Sequence, residues 1–206
     1  MKAVYGLTGN MGCGKSTALS FFKEIEDIVT VEMDKLAHEV MESPEITRKL
    51  RQVFGPRVTV NGKLDRRTLG KIVFKNKRLL RQMESIVHPL VWEKTEELIT
   101  RKEHGIFIIE SAIIFETQSQ GRFDKIICVT CDEEKQKNRL RKRGYTDEKI
   151  INRLNNQFDI GYKERHSNYI IRTDGSLAEM RESVMELYNK IKEENDEYHS
   201  SIPGDI

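Results

Sequence analysis

The chain reads as an α/β protein built on a mostly parallel sheet of five strands. Three observations carry that reading. Apolar runs of strand length alternate with helical stretches, as in GIFIIE (105–110) and KIICVTC (125–131). Those runs are continuous rather than alternating, the pattern of strands covered on both faces. A glycine-rich turn, GNMGCGKST from Gly9 to Thr17, separates the first apolar run from the first helical one, giving the strand, loop, helix order that α/β folds repeat.

In chain order, Lys2 to Leu7 is the first strand and Ser16 to Phe22 the first helix. DIVTVE (27–32) is β-branched and strand-like, and KLAHEVM after it is helical. GIFIIE and KIICVTC supply the third and fourth strands, and NYIIR (168–172) a shorter fifth. Between Pro44 and Lys102 the pattern is helical, as in LLRQMESIV and VWEKTEELITRK, broken by an NGK turn at 61–63 that marks a brief hairpin or loop. About sixty residues far exceed the dozen or so of a crossover connection, so this interval is expected to form a helical lobe. The expected division is a core of about 1–43, 103–138 and 166–195, a lobe of about 44–102, a lid of about 139–165 and a frayed, polar tail over 196–206, with polarity rising already from Glu193.

At 206 residues the chain suits one domain with inserted lobes. Its 35 basic and 33 acidic residues nearly cancel, so no net field points to nucleic acid or a membrane surface, and anion recognition has to be local. No apolar run approaches the ~20 residues that span a bilayer. The opening MKAVYGL is too short for an export signal's apolar core, with no small-residue cleavage site after it. Three cysteines argue against a disulfide framework and for a reducing cytoplasm. Cys128 and Cys131 form a CxxC pair, but no second CxxC or His pair completes a zinc site. Within a strand they point to opposite faces, so they read as structural thiols.

Gly9, Gly14, Lys15 and Ser16 satisfy G-x-x-x-x-G-K-[ST]. Glycines let backbone N–H groups converge on an anion, and the start of the next helix adds partial positive charge. Lys15 reaches the β- and γ-phosphates, and the Ser16 hydroxyl suits Mg²⁺. The loop therefore binds a nucleoside triphosphate. No guanine-reading NKxD follows KIICVTC, which favours ATP.

A small kinase needs an acceptor base, an acceptor pocket and cations for the migrating phosphoryl group. Asp34, just beyond the second strand, reads as a general base or as a helix cap. Glu110 and Glu116 end GIFIIE and SAIIFE and read as magnesium-orienting carboxylates or as solvated strand ends. Arg139, Arg141, Arg143, Arg153 and Arg165 populate a basic stretch that reads as a solvated face or as a cationic lid. Arg139 is the favoured contact for the transferring phosphate, with Arg143 second on the same helix face. These residues alone leave the acceptor open: a nucleoside monophosphate, another small metabolite, or none, in a nucleotide-dependent switch.

The order GLTGNMGCGKST, VEMDKLAHEV, IVHPLV, SAIIFE and NRLRKRG resembles that of dephospho-coenzyme A kinases, over about residues 3 to 177. The combination of glycine loop, aspartate after the second strand and HPL tripeptide is what makes the resemblance specific. It implies a three-layer P-loop kinase fold with a helical substrate lobe and a lid. It also implies ATP as phosphoryl donor, Mg²⁺, and transfer to the ribose 3′-hydroxyl of dephospho-coenzyme A. It carries the ATP site onto Gly12, Cys13, Gly14, Lys15, Ser16 and Thr17, the base onto Asp34, and a substrate-side role onto His88, Pro89 and Leu90. Departures are Glu32-Met33-Asp34 where the family often has DAD, Ala112-Ile113-Ile114-Phe115-Glu116 where it has PLLFE, and Ser167-Asn168-Tyr169-Ile170-Ile171 where an aspartate-led stretch is frequent. The resemblance sets no oligomeric state.

Overall fold

A computed structural model describes residues 2–201, with side chains through Asp196. The five expected strands form. β1 (Lys2–Thr8), β2 (Ile28–Glu32), β5 (Gly105–Glu110), β6 (Lys125–Thr130) and β7 (Tyr169–Arg172) lie in one sheet in the order β2-β5-β1-β6-β7. β1 pairs parallel with both β5 and β6, and β6 parallel with β7. The central position of β1 follows from its composition: Ala3, Tyr5 and Leu7 are buried against one face while Gly6 faces the other. A Cβ on Gly6 would stand 2.7 Å from Ile114 and 3.0 Å from Phe123, so the 111–123 connection packs tightly over that second face.

The first face is covered by α1 (Lys15–Lys23) and α9 (Leu177–Ser201). Ala18, Leu19 and Phe22 of α1 and Met180, Val184, Leu187, Tyr188 and Ile191 of α9 share one cluster with Tyr5, Leu7, Ile108, Ile127, Val129, Tyr169 and Ile171. The spacing of these helical residues is the apolar stripe of an amphipathic helix on a sheet. α9 corrects one expectation. The stretch from Glu193 expected to fray is helical to Ser201, because Glu194 pairs with Lys125 at 2.5 Å and Asn195 reaches the Tyr5 hydroxyl at 3.4 Å. Residues 202–206 of the expected tail lie outside the described residues. Among the described residues, no helix is long and apolar enough to cross a membrane.

The chain divides into two compact units, residues 1–31 with 103–206, and residues 32–102. The second is helical: α2 (Met33–Glu42), α3 (Pro44–Phe54), α4 (Arg66–Val73) and α5 (Lys77–Thr100), with a hairpin of β3 (Thr59–Val60) and β4 (Lys63–Leu64). Positive φ at Asn61 (51°) and Gly62 (77°) makes the NG turn a type I′ connection. Ser43, Asp65 and Asn76 cap α3, α4 and α5 through the N–H groups of Ile46, Thr68 and Arg78. Pro89 lies inside α5.

The unit begins at Glu32, earlier than the expected boundary near residue 44. Leu36 and Val40 give α2 a buried stripe, and α2 packs against α3 and α5 of the same unit. The other unit's later helices are α6 (Glu133–Lys142), α7 (Asp147–Leu154) and α8 (Ile160–Arg165).

Candidate functional site

The glycine loop leaves β1 at Gly9, whose φ is +141°. A Cβ here would stand 2.1 Å from the Val129 carbonyl oxygen of the neighbouring strand, so only glycine lets the chain turn off the sheet so close to β6. At the other end, Gly14 occupies the N-cap position of α1 in the left-handed region, with φ 92°. It makes no side-chain cap bond, and the first turn contains no acidic residue. The partial positive charge of the helix start is therefore neither capped nor neutralised by its own sequence, which is what an anion site requires.

Lys15 is folded back over the loop. Its Nζ donates to the Asn10 carbonyl at 3.5 Å and lies 3.8 Å from Oε1 of Glu110, with both side chains about nine-tenths buried. Glu110 thus ends β5 beside the loop lysine rather than as a solvated strand end. Ser16 is exposed and Thr17 half-buried at the head of α1. An open serine hydroxyl and a strand-end carboxylate are hard oxygen donors of the kind Mg²⁺ accepts.

The backbone of the loop is held from three sides. Thr173 Oγ1 donates to the Cys13 carbonyl at 2.8 Å, and Arg139 donates to that same Oγ1 at 2.8 Å and to the Thr173 carbonyl. Gln136, one turn before Leu140 on α6, donates from Nε2 to the Met11 carbonyl at 2.8 Å. Gln157 accepts the Met11 N–H at 2.9 Å, and the Phe158 carbonyl accepts from Asn10 Nδ2 at 3.1 Å. Arg139, expected against phosphate, thus has two of its donors on Thr173. Arg153 lies 3.8 Å from Met11 Sδ, over the Tyr145 ring. Arg141 instead forms an ion pair with Asp147, and Arg143 ends α6 as its C-cap.

All three cysteines are buried and reduced. Cys131 lies one residue past β6, and its thiol shares a hydrogen bond with Cys13. Donation from Cys13, with Arg139 nearby, draws the Cys131 thiol below the ordinary thiol range. The same bond, together with burial, holds Cys13 well above it. Burial pushes Cys128 up to about 12. Cys13, a free position of the motif, therefore packs its side chain into the floor of the loop. Among the described residues no cluster of three or more His, Cys, Asp or Glu is arranged to hold a metal ion.

In the helical unit, Asp34 is the second residue of α2 and exposed. Glu32 holds the N-cap position and pairs with Lys35 at 2.7 Å. The cap reading of Asp34 is thereby corrected: the carboxylate sits inside the first turn and is not the cap. His88 is half-buried on α5, next to Pro89.

Sequence reasoning missed Gln136, Gln157, Lys163 and Thr173. One cue existed for the first: in KQKNRLRKR, Gln136 and Leu140 are uncharged residues four apart, the spacing of a buried stripe, and both are buried. The others had none, because their partners lie 34 to 160 residues away.

A family model described as dephospho-CoA kinase matches residues 3–179. A dephospho-CoA kinase from Bdellovibrio bacteriovorus is 35% identical over 198 residues, 92% of this chain and 98% of that protein. Among solved structures, a Thermus thermophilus protein superposes with a TM-score of 0.83 at 28% identity, covering 92% of this chain and 97% of its own. A dephospho-CoA kinase from Campylobacter jejuni does so with a TM-score of 0.64 at 26% identity and the same coverage.

Proposed function

Because the chain belongs to the dephospho-CoA kinase family, we propose how its residues divide the labour of that reaction. The reaction is ATP-dependent phosphorylation of the ribose 3′-hydroxyl of dephospho-coenzyme A, which gives coenzyme A and ADP and completes coenzyme A synthesis. What supports the assignment of the donor site is the uncapped start of α1 behind Gly14, with Lys15 folded over the same loop.

ATP places its β- and γ-phosphates against the amides of Gly12 to Thr17, where helix charge and convergent N–H groups favour an anion. Lys15 moves from the Asn10 carbonyl to the phosphate oxygens, and Glu110 holds it in reach until then. Ser16 would hold Mg²⁺, which would supply positive charge against the phosphoryl group as it transfers. Asp34 accepts the proton of the ribose hydroxyl as it attacks, in line with the departing ADP. Arg139, already fixed on one edge by Thr173, offers its remaining N–H groups to the phosphoryl group as charge redistributes. His88 contacts the acceptor. The three free thiols suit a reducing cytoplasm.

The test is an acceptor comparison with purified protein, ATP and Mg²⁺. ADP should form with dephospho-coenzyme A, with the new phosphate on the ribose 3′-oxygen by phosphorus NMR, and not with AMP, CMP or shikimate. Turnover of AMP or shikimate at a comparable rate would overturn the acceptor assignment.

A further inference from the structure

The outer turn of the glycine loop, Asn10 and Met11, is held by a buried ion pair that reaches it through two intervening residues. Lys163 on α8 has a side chain with 0% exposure. Its Nζ donates to the Ala112 carbonyl at 2.7 Å and lies 2.7 Å from Oε1 of Glu116. The same Oε1 accepts the N–H of Phe158 at 2.8 Å. The Phe158 carbonyl accepts from Asn10 Nδ2, and Gln157 Oε1 takes the N–H of Met11. A continuous path thus runs from a buried cation, through a carboxylate and the 157–158 segment, to the second and third positions of the phosphate motif.

Stability does not account for this arrangement. Two charges withdrawn from water recover little more than their desolvation cost, and a packed apolar pair would serve the fold as well. Glu116 Oε2 is buried with no hydrogen-bond partner, so one acceptor of the pair goes unmatched. Burial pulls the Lys163 ammonium below its ordinary range, the Glu116 contact opposes this, and the nearby Lys15 charge adds to the lowering. What a buried pair supplies is one geometry, because any displacement leaves a charge unpaired. The geometry here bears on the loop: with its N–H spent on Gln157, Met11 is withheld from the phosphates, and the amides of Gly12 to Thr17 meet the anion in a single register.

We propose that Glu116, Lys163 and Gln157 are positioning residues for phosphoryl transfer, setting the register of the phosphate loop through the 157–158 segment. This rests on the ATP-site reading above. Gln157 touches the loop, Glu116 and Lys163 act on it through the 157–158 segment, and none touches the reacting atoms, so their effect belongs to ATP and not to the acceptor.

The experiment compares Gln157→Ala, the double variant Glu116→Gln/Lys163→Met and the triple variant, by steady-state kinetics and thermal melting. Gln157 is a half-buried loop residue, so its variant should melt within about 2 °C of the parent. Its kcat/KM for ATP should fall about fivefold or more, as for one lost hydrogen bond, while KM for dephospho-coenzyme A changes less than about twofold. The double variant should lose in the same parameter, and the triple variant should lose less than the product of the two, because both act through one segment. Unchanged ATP kinetics in folded Gln157→Ala would overturn the proposal, as would a strictly multiplicative triple variant. If the double variant does not fold, Gln157→Ala alone decides. Failure of the parent protein to use ATP would instead overturn the donor-site reading, and the parent is measured alongside.

Discussion

Asp34 shows what a single side chain is asked to do and what it is not. It stands exposed in the first turn of α2 with no capping bond, so its contribution to folding is limited to the helix dipole, about 0.3–1 kcal/mol. As the proposed acceptor of the ribose proton, it should contribute about 100-fold or more to transfer. Asp34→Asn keeps the shape and loses the base. Turnover should drop by about two orders of magnitude while calorimetric ATP affinity stays within about twofold; near-normal turnover would remove the residue from the chemistry. At this scale Lys15, Ser16 and Asp34 stood out in the sequence as candidates, because each belongs to a local pattern. Thr173 and Gln157 were invisible to it because nothing in TDG or NQF announces a partner near residue 11 or 13. Contacts across 146 and 160 residues are products of the fold and have no local spelling.

At the scale of elements, the junction of β1, the loop and β6 is the most tightly specified part of the chain. Gly9→Ala would drive a Cβ to 2.1 Å from a backbone oxygen of β6 at a φ of +141°, and neither strand can yield without breaking its ladder. We expect a loss of about 3 kcal/mol or more, read as a melting temperature lowered by about 6–12 °C. Gly121→Ala, where an added Cβ meets nothing within 4 Å and φ is ordinary, should melt like the parent. Equal melting of the two variants would contradict the close approach. β1, β5 and β6 were readable because buried parallel strands are written as apolar runs, β2 because it is β-branched, and the NG turn because its two positive φ values admit few residues. The allegiance of α2 was not readable: LAHEV shows a stripe, but a stripe does not say which neighbour covers it. The continuation of α9 past Glu193 was hidden for a similar reason, since a polar stretch reads as frayed until Lys125 is known to stand beside Glu194.

For the molecule as a whole, that last contact ties the sheet to its final helix and gives folding a pH dependence. Lys125 of β6 and the Tyr169 hydroxyl of β7 both donate to the Glu194 carboxylate of α9. Lys125 first, then Tyr169, hold Glu194 below the usual carboxylate range. A carboxyl depressed in the folded state binds its proton more readily when unfolded, so its stabilisation is present above about pH 4.5 and is lost as pH falls through the lower, folded value. Solvent exposure of about a third on both side chains keeps the effect modest. Melting temperature measured from pH 6 to pH 3 should fall less steeply in Lys125→Met than in the parent, and parallel slopes would show that the contact carries no linkage. Each of the two units has its own apolar interior, 32–102 among helices and the remainder around the sheet. That a helical stretch would interrupt the strand pattern for about sixty residues was legible in the sequence, and the start of the second unit at Glu32 was not.

Pro89, embedded in the 24-residue α5, brings no N–H to the carbonyl four residues before it, that of Ser85. The ladder of this helix therefore lacks one rung at the turn adjoining His88. Bending there breaks one bond fewer than at any other turn of the lobe's longest helix, which concentrates its compliance at a single peptide beside a residue assigned to the acceptor.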